Sequence, residues 1–315
     1  MSKYVYGIDV GGTSIKIGLF DFNTTKLINS FEVKTPNKDD GKVIFETIYK
    51  NILDNNHNQE IELSSILGVG IDVPCPVKNG YVESCANLHI ANINLIDEMK
   101  KYLPGNMVVT IANDATIAAY GENASLDKPY NNAVLITLGT GVGGGVILDG
   151  KIVEGSTGFA GEIGHIKVYD ESDKVCGCGS KGCLEQICGT EGILDYTKKL
   201  LISQSSMLDT NNLSVKSIFD AAKVGDEVAL ETIHRVAKYI GIASSIISMV
   251  IEPDIFIIGG GVSKAGDFLL ELIQKYYKEN ARFSTGKIPF KLAQTGNDAG
   301  MIGSALLVKS LIATE

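Results

Sequence analysis

Residues 4–20, YVYGIDVGGTSIKIGLF, and residues 133–153, AVLITLGTGVGGGVILDGKIV, follow one plan. In the first, a β-rich run meets a Gly-Gly-Thr turn, after which Ile15, Ile17 and Leu19 alternate with other residues. In the second, Val134, Ile136 and Leu138 alternate, glycines follow, and two more β-rich runs are joined by Asp149-Gly150. Period-two alternation across a glycine turn predicts a strand and its antiparallel return strand. Helical patterns come after each unit. Residues 226–250 carry Val228, Ile233, Val236, Ile240, Ala243 and Ile247 at helical spacing. A β-run from Ile255 to Ile258 then enters Gly259-Gly260-Gly261. The repeat predicts two similar α/β lobes whose glycine loops face a shared cleft. At 315 residues the chain also exceeds what one core usually supports.

The glycine loops limit the chemistry. Residues 139–144, GTGVGG, match the dinucleotide fingerprint G-x-G-x-x-G. That fingerprint works only when a helix follows the turn and meets the pyrophosphate. Here Gly145-Val-Ile-Leu-Asp-Gly reads as a strand into a tight turn, so the dinucleotide reading fails. No G-x-x-x-x-G-K-[ST] segment occurs either. Hairpin turns can still hold phosphate, because glycine lets backbone N–H groups approach an anion closely. Three loops, at Gly11-Gly12, Gly139–Gly145 and Gly259–Gly261, favour phosphate binding over plain tight turns. Asp9 ends the first β-run, where a carboxylate either serves Mg²⁺ through water or caps the turn. Val108–Asp114 reads as a buried strand ending at a helix start. Asp114 there is either an N-cap or a base for a hydroxyl proton.

Three of the six cysteines, Cys176, Cys178 and Cys183, fall within eight positions. They contain no C-x-x-C redox spacing. Tetrahedral zinc needs a fourth ligand, and His165, eleven residues before Cys176, can supply it. With all four positions filled by protein, such a zinc is structural. Glu162 and Glu185 flank the cluster. Cys75, Cys85 and Cys188 read as small buried residues without partners. His57, in a polar loop, and His234, on a polar helical face, are given no role. Patches rich in Asn, Asp and Lys at 36–42, 54–60 and 208–214 read as surface loops.

Bulk properties exclude other classes. A formal charge of −9 argues against a nucleic-acid groove or an anionic membrane as partner. The N-terminus lacks the pattern of a secretory signal, and the apolar stretch at 241–251 is shorter than the roughly 20 residues a span needs. A cytoplasmic protein is expected, in which thiols stay reduced and disulfides are the weaker reading.

Taken together, these residues resemble the ROK family of sugar kinases and regulators, most of all the bacterial ATP-dependent glucokinases. The matching motifs are Asp9-Val-Gly-Gly-Thr-Ser-Ile-Lys16, Asn113-Asp-Ala, Leu138–Gly145, Gly161-Glu-Ile-Gly-His165, Cys176–Glu185, Gly259–Ser263 and Gly296-Asn-Asp-Ala-Gly300. The resemblance implies a two-lobed actin-like, hexokinase-like ATPase fold with ribonuclease-H-like lobes and a cleft. Residues 1–114 with the C-terminal helix, about 300–315, would form one lobe, and residues 115–299 the other. It implies ATP and Mg²⁺ at Asp9, Gly11, Gly12, Thr13, Lys16, Gly139, Thr140 and Gly141, with Gly259, Gly260 and Gly261 flanking the adenosine. Asp114 would be the catalytic base. Asn113, Asp114, Glu162, His165 and Glu185 would hold sugar hydroxyls, and His165, Cys176, Cys178 and Cys183 would bind structural zinc.

The implied reaction is phosphorylation of a hexose, glucose first, at its primary hydroxyl. N-acetylmannosamine, N-acetylglucosamine and β-glucosides are the alternatives. A homodimer or larger assembly is expected, with sugar and ATP as the partners. A sugar-responsive repressor is disfavoured, since only eight residues precede Asp9. The chain departs from the family in carrying Pro74-Cys75-Pro76 where Pro-Gly is usual. It also has no Trp beyond Asn87-Leu88.

Overall fold

A computed structural model describes residues 2–36, 42–169, 174–261 and 266–314. Val262 and Ser263 of the third glycine motif, and most of the 36–42 patch, lie outside the described residues. The chain divides into two compact units, residues 1–129 with 152–160 and 297–315, and residues 130–151 with 161–296.

In the first unit, β1 (Tyr4–Val10) and β2 (Ser14–Asp21) pair antiparallel across the first glycine turn, with Val10 opposite Ile15. An edge strand, β3 (Leu27–Lys34), and a helix, α1 (Lys42–Asn58), follow. Next come β4 (Ile66–Val73), a two-stranded β5 (Tyr81–Cys85) and β6 (Ile90–Asn94), and α2 (Leu95–Lys100). Then β7 (Val108–Asn113) runs into α3 (Asp114–Ala124). The five-stranded sheet has the order β3-β2-β1-β4-β7, with β4 parallel to β1 and β7 parallel to β4. Central strands covered on both faces need continuous apolar runs. Tyr6, Ile8, Ile15, Ile17 and Ile71 accordingly pack with Phe45 and Ile48 of α1 in one core.

The opposite face is covered by the C-terminal helix, Ala299–Thr314. Glycines make that contact possible. A Cβ at Gly7 would overlap the Met301 carbonyl, and one at Gly70 the Ser304 carbonyl. On α3, Gly121 meets Gly303 the same way. These helix backbones can lie directly on the sheet only because no side chain intervenes. This packing places α3 in the first unit, so the division expected after residue 114 is corrected to lie after 129. His57 and residues 54–58 belong to the last turn of α1, not to a loop.

The second unit repeats the scheme. β8 (Ala133–Leu138) and β9 (Val142–Leu148) pair antiparallel, with Leu138 opposite Val142 across the second glycine turn, and β10 (Lys151–Ile152) is the edge. A short α4 (Glu185–Cys188), α5 (Thr190–Leu201) and α6 (Val215–Lys223) precede the long α7 (Glu227–Val250). Asp226 caps α7 by accepting from the Ala229 N–H at 2.9 Å, and Val228, Ile233, Val236, Ile240, Ala243 and Ile247 are buried as the spacing predicts. β11 (Ile255–Gly259), α8 (Asp267–Asn280) and β12 (Phe290–Leu292) complete it. The order is β10-β9-β8-β11-β12, with β11 parallel to both β8 and β12. Among the described residues no helix is long and apolar enough to cross a membrane.

Candidate active site

In the first unit the chemistry gathers where β1, β4 and β7 end. Gly7-Ile8-Asp9-Val10 and Gly70-Ile71-Asp72-Val73 are identical tetrapeptides on neighbouring parallel strands, paired in register with Asp9 beside Asp72. Asp72 is fully buried. Its Oδ2 accepts from Ser304 Oγ at 3.0 Å, its Oδ1 meets no amide or hydroxyl donor, and the Asp9 carboxyl is the side chain's other hydrogen-bonding neighbour. Burial foremost, then the charges of Asp9 and Asp114, push the Asp72 carboxyl well above the usual carboxylate range. Asp9 is raised as well, again chiefly by burial, though Asp72 and Lys16 act against that rise. Two carboxyls this close cannot both ionise cheaply, so the pair shares a proton unless a cation joins it. Asp72 was not foreseen. The repeated Gly-Ile-Asp-Val was the signal that could have found it.

Lys16, opposite Asp9 on β2, donates to the Asn297 carbonyl at 2.7 Å and to Asp298 Oδ1 at 3.1 Å. It thereby ties the first hairpin to the start of the C-terminal helix. The turn itself is held by Thr35, whose Oγ1 donates to the Gly11 carbonyl at 2.6 Å and whose N–H donates to the Thr13 carbonyl at 3.0 Å.

Asp114 opens α3, but the cap is Asn113, whose Oδ1 accepts from the Thr116 N–H at 3.1 Å. The capping reading of Asp114 is thus corrected. Asp114 Oδ1 accepts from the Ala115 N–H at 2.7 Å and from Asn113 Nδ2 at 3.0 Å. Nδ2 of Asn113 also donates to the Cys75 carbonyl at 3.2 Å. Cys75 is not the lone buried residue expected. It forms a disulfide with Cys85, because the loop after β4 and the end of β5 bring their Cα atoms to 5.2 Å.

In the second unit, Thr190 at the start of α5 donates from its N–H and Oγ1 to the Gly139 carbonyl, at 3.1 and 2.9 Å. Glu185 reaches the same turn, where its Oε2 accepts from the Val142 N–H at 3.0 Å. A Cβ on Gly141 would overlap that carboxylate, so any larger residue there displaces the Glu185 side chain. Cβ atoms on Gly139 and Gly261 would instead point into open space, and the Gly139 N–H donates within the turn to the Gly141 carbonyl at 3.0 Å. Gly260 has φ +82° and is packed against Leu138.

His165, Cys176, Cys178 and Cys183 place their ligand atoms within 4.8 Å of one another. A short ladder closes the loop, with the Leu184 N–H on the Ile166 carbonyl at 2.9 Å and the Val168 N–H on the Gly182 carbonyl at 2.9 Å. Gln186 Oε1 pins the N–H groups of Gly182 and Cys183. Nδ1 of His165 lies 3.5 Å from Cys176 Sγ, and Cys178 and Cys183 sulfurs are 3.6 Å apart. Tetrahedral zinc with ordinary bond lengths requires ligand separations of about 3.5–3.8 Å, so the donor set fits that ion. Burial, then the neighbouring thiols, push the Cys183 thiol up to about 12, and a cation is what would allow it to ionise. Nε2 of His165 faces Glu162 Oε2 at 3.9 Å. His234, left without a role, hydrogen-bonds the Tyr276 hydroxyl at 2.9 Å.

Comparison with known proteins supplies the context for this geometry. A glucokinase of Halalkalibacterium halodurans is 36% identical over 98% of this chain and 95% of its own length. An N-acetylmannosamine kinase of Vibrio cholerae is 29% identical over 96% of this chain and 98% of its own. The crystal structure of a ROK family glucokinase from Streptomyces griseus, in complex with glucose and AMPPNP, matches with a TM-score of 0.73. It is 28% identical and covers 98% of this chain and 99% of that one. The two-lobed α/β fold expected from the sequence is therefore the fold of a known group of kinases. The ROK family model spans residues 5–311, taking in every motif described above, and the chain belongs to the ROK family.

Proposed function

We propose that this protein transfers the γ-phosphoryl group of ATP to the primary hydroxyl of a hexose, glucose before others. The observation that carries the reading is Asp114. Its carboxylate sits at a strand–helix junction with the capping task already taken by Asn113, and Asn113 itself orients it. Such a carboxylate can accept the hydroxyl proton as the oxygen–phosphorus bond forms and ADP departs.

The remaining roles follow the chemistry of each residue. The turns at Gly11–Thr13 and Gly139–Gly141 would hold phosphate oxygens, and Gly259–Gly261 would flank the adenosine. Lys16 would add positive charge beside them. Asp9 fits a magnesium ion, because a cation relieves the crowding of the buried carboxyl pair it forms with Asp72. When bound, Mg²⁺ would neutralise charge on the phosphates. Asn113, Glu162, His165 and Glu185 would hold the sugar hydroxyls. Glu185 also touches the second phosphate turn, so one side chain would report on both substrates. His165, Cys176, Cys178 and Cys183 would hold a structural zinc that orients Glu162 and Glu185. We place the enzyme in the cytoplasm, acting as a homodimer or larger assembly.

A coupled ADP-release assay over a panel of sugars tests the reading. A buried hydrogen-bonding site rejects an analogue lacking its partner group by up to about 10⁴-fold, so the true substrate should stand out. We expect kcat/KM to be highest for glucose. Turnover of N-acetylmannosamine at least ten times more efficient would overturn glucose and leave the kinase reading standing. The residue that separates the two readings is Cys75, which stands in the family's glycine position and is tied to Cys85.

A further inference from the structure

We infer that Cys75 and Cys85 form a reversible disulfide site, and that closing it lowers the KM for sugar by fixing the loop on which Asn113 rests. The link between redox state and sugar rests on the kinase reading; the disulfide site itself does not.

The geometry is local to the first unit. A Cα separation of 5.2 Å lies inside the range a disulfide spans without backbone movement. Cys75 follows β4 and Cys85 ends β5, ten residues later. The bond therefore staples the Pro74–Pro76 loop to the β5–β6 hairpin. What the loop offers is the Cys75 carbonyl. It accepts from Asn113 Nδ2 at 3.2 Å, and the same nitrogen donates to Asp114 Oδ1 at 3.0 Å. The staple thus stands two hydrogen bonds from the carboxylate. Beyond Cys85, the turn at residues 86–88 brings the Asn87 carbonyl near Gly12, where a Cβ would meet it at 3.7 Å. One covalent bond thus braces the support of the base, at the foot of a hairpin that passes beside the first phosphate turn.

Both redox states are chemically accommodated. When reduced, Cys85 has the Pro74 carbonyl as an acceptor 3.9 Å from its sulfur. The sulfurs are buried, yet Pro76 and Ser84, each adjacent in sequence to one cysteine, line a cavity of about 700 Å³. Neither cysteine lines that cavity, so exchange at the sulfurs takes place when the Pro74–Pro76 loop or the β5–β6 hairpin opens locally. One thiol loses its proton and attacks the low-molecular-weight disulfide RSSR, expelling RS⁻, which takes up a proton. The second thiol attacks the mixed disulfide and expels the other RS⁻ in the same way. Two S–H bonds become one S–S bond, RSSR becomes two RSH, and no other reagent is required. A small thiol reverses the sequence.

The test equilibrates wild type, Cys85→Ser and Cys85→Ala in graded ratios of a small thiol and its disulfide. Free thiols are then alkylated, peptides mapped by mass, and glucose kinetics recorded. We expect a linked 75–85 peptide in wild type that disappears as thiol increases. Reduction should raise the KM for glucose about threefold or more and change kcat less than about twofold. Both variants should hold the reduced-state KM in every buffer. Absence of the linked peptide at all ratios would overturn the proposal. So would a KM shift shared by wild type and variants, which would report oxidation of the zinc-binding thiols. If no sugar is phosphorylated, the kinase reading fails and hydrogen exchange decides the coupling. Exchange across residues 110–116 should slow on linkage in wild type alone, and equal exchange in both states would refute it.

Discussion

The two units share a sheet, β3-β2-β1-β4-β7 in one and β10-β9-β8-β11-β12 in the other, yet they differ at the strand ends. Where Asp9 faces Asp72 across β1 and β4, Thr137 faces Gly259 across β8 and β11. The first unit spends its strand ends on carboxyls, adding Asp114 from β7 and α3. The second leaves its strand ends neutral and gathers acceptors from outside the sheet, on the loop that His165 and three cysteines gather. One scaffold thus carries a carboxyl cluster at the strand ends of one copy and, in the other, acceptors on a loop outside the sheet. The difference resides in a few residues at fixed register positions, consistent with function being carried by sites placed on a fold.

If the division is right, its largest signature is Asp114→Asn. The amide keeps hydrogen bonding but cannot accept a proton. Sugar binding should stay near normal while turnover falls by about 10²–10⁴. Retention of more than about a third of wild-type turnover would remove Asp114 from the base role. In the second unit the corresponding break is Cys178→Ser. Zinc content, thermal midpoint and sugar affinity should fall together, because one site supports both the loop and its acceptors. Wild type holding less than about half an equivalent of zinc at full activity would sink the structural-zinc reading.

The glycine turns sharpen the contrast within one hairpin. A Cβ at Gly141 would overlap Glu185, whereas one at Gly139 meets open space. Gly141→Ala should therefore displace Glu185 from the Val142 N–H and raise the KM for both sugar and ATP, by roughly tenfold. Gly139→Ala should leave stability unchanged and raise the KM for ATP alone. If both variants show the same pattern, Glu185 does not couple the two substrates.

Much of this was readable in advance, because hairpins announce themselves by alternation and a glycine turn. The strand–helix junction at Asn113-Asp114 and the Cys₃His grouping were equally legible, since local spacing defines them. Two features were not. The Cys75–Cys85 bond depends on where the β5–β6 hairpin folds back, which no spacing rule states. The place of α3 depends on Gly121 meeting Gly303, a contact between distant segments. Asp72 lies between these cases. Its tetrapeptide repeats that of Asp9, but only parallel pairing in register turns the repeat into a carboxyl pair.

That pair supports the subtlest prediction. Asp72 is raised by burial first and by Asp9 and Asp114 next, so the folded chain holds a proton that the unfolded chain releases near pH 4. The stabilising contribution is whole below that pH and is lost as pH rises through the elevated folded value. Asp72→Asn is isosteric, needs no proton, and can donate an amide N–H to Asp9. The groups facing the site are Asp9, Asp114 and Ser304, with Lys16, Asp298 and Glu32 acting on Asp9. None of these is altered by the substitution. The thermal midpoint of the variant should equal that of wild type near pH 4.5 and exceed it increasingly toward pH 8. A gain of order 1 kcal/mol would move the midpoint by about 2 °C. Scanning calorimetry across that range decides it. Midpoints that stay parallel would mean that Asp72 is ionised in the folded chain, with a counter-charge other than Asp9's proton holding the strand ends together.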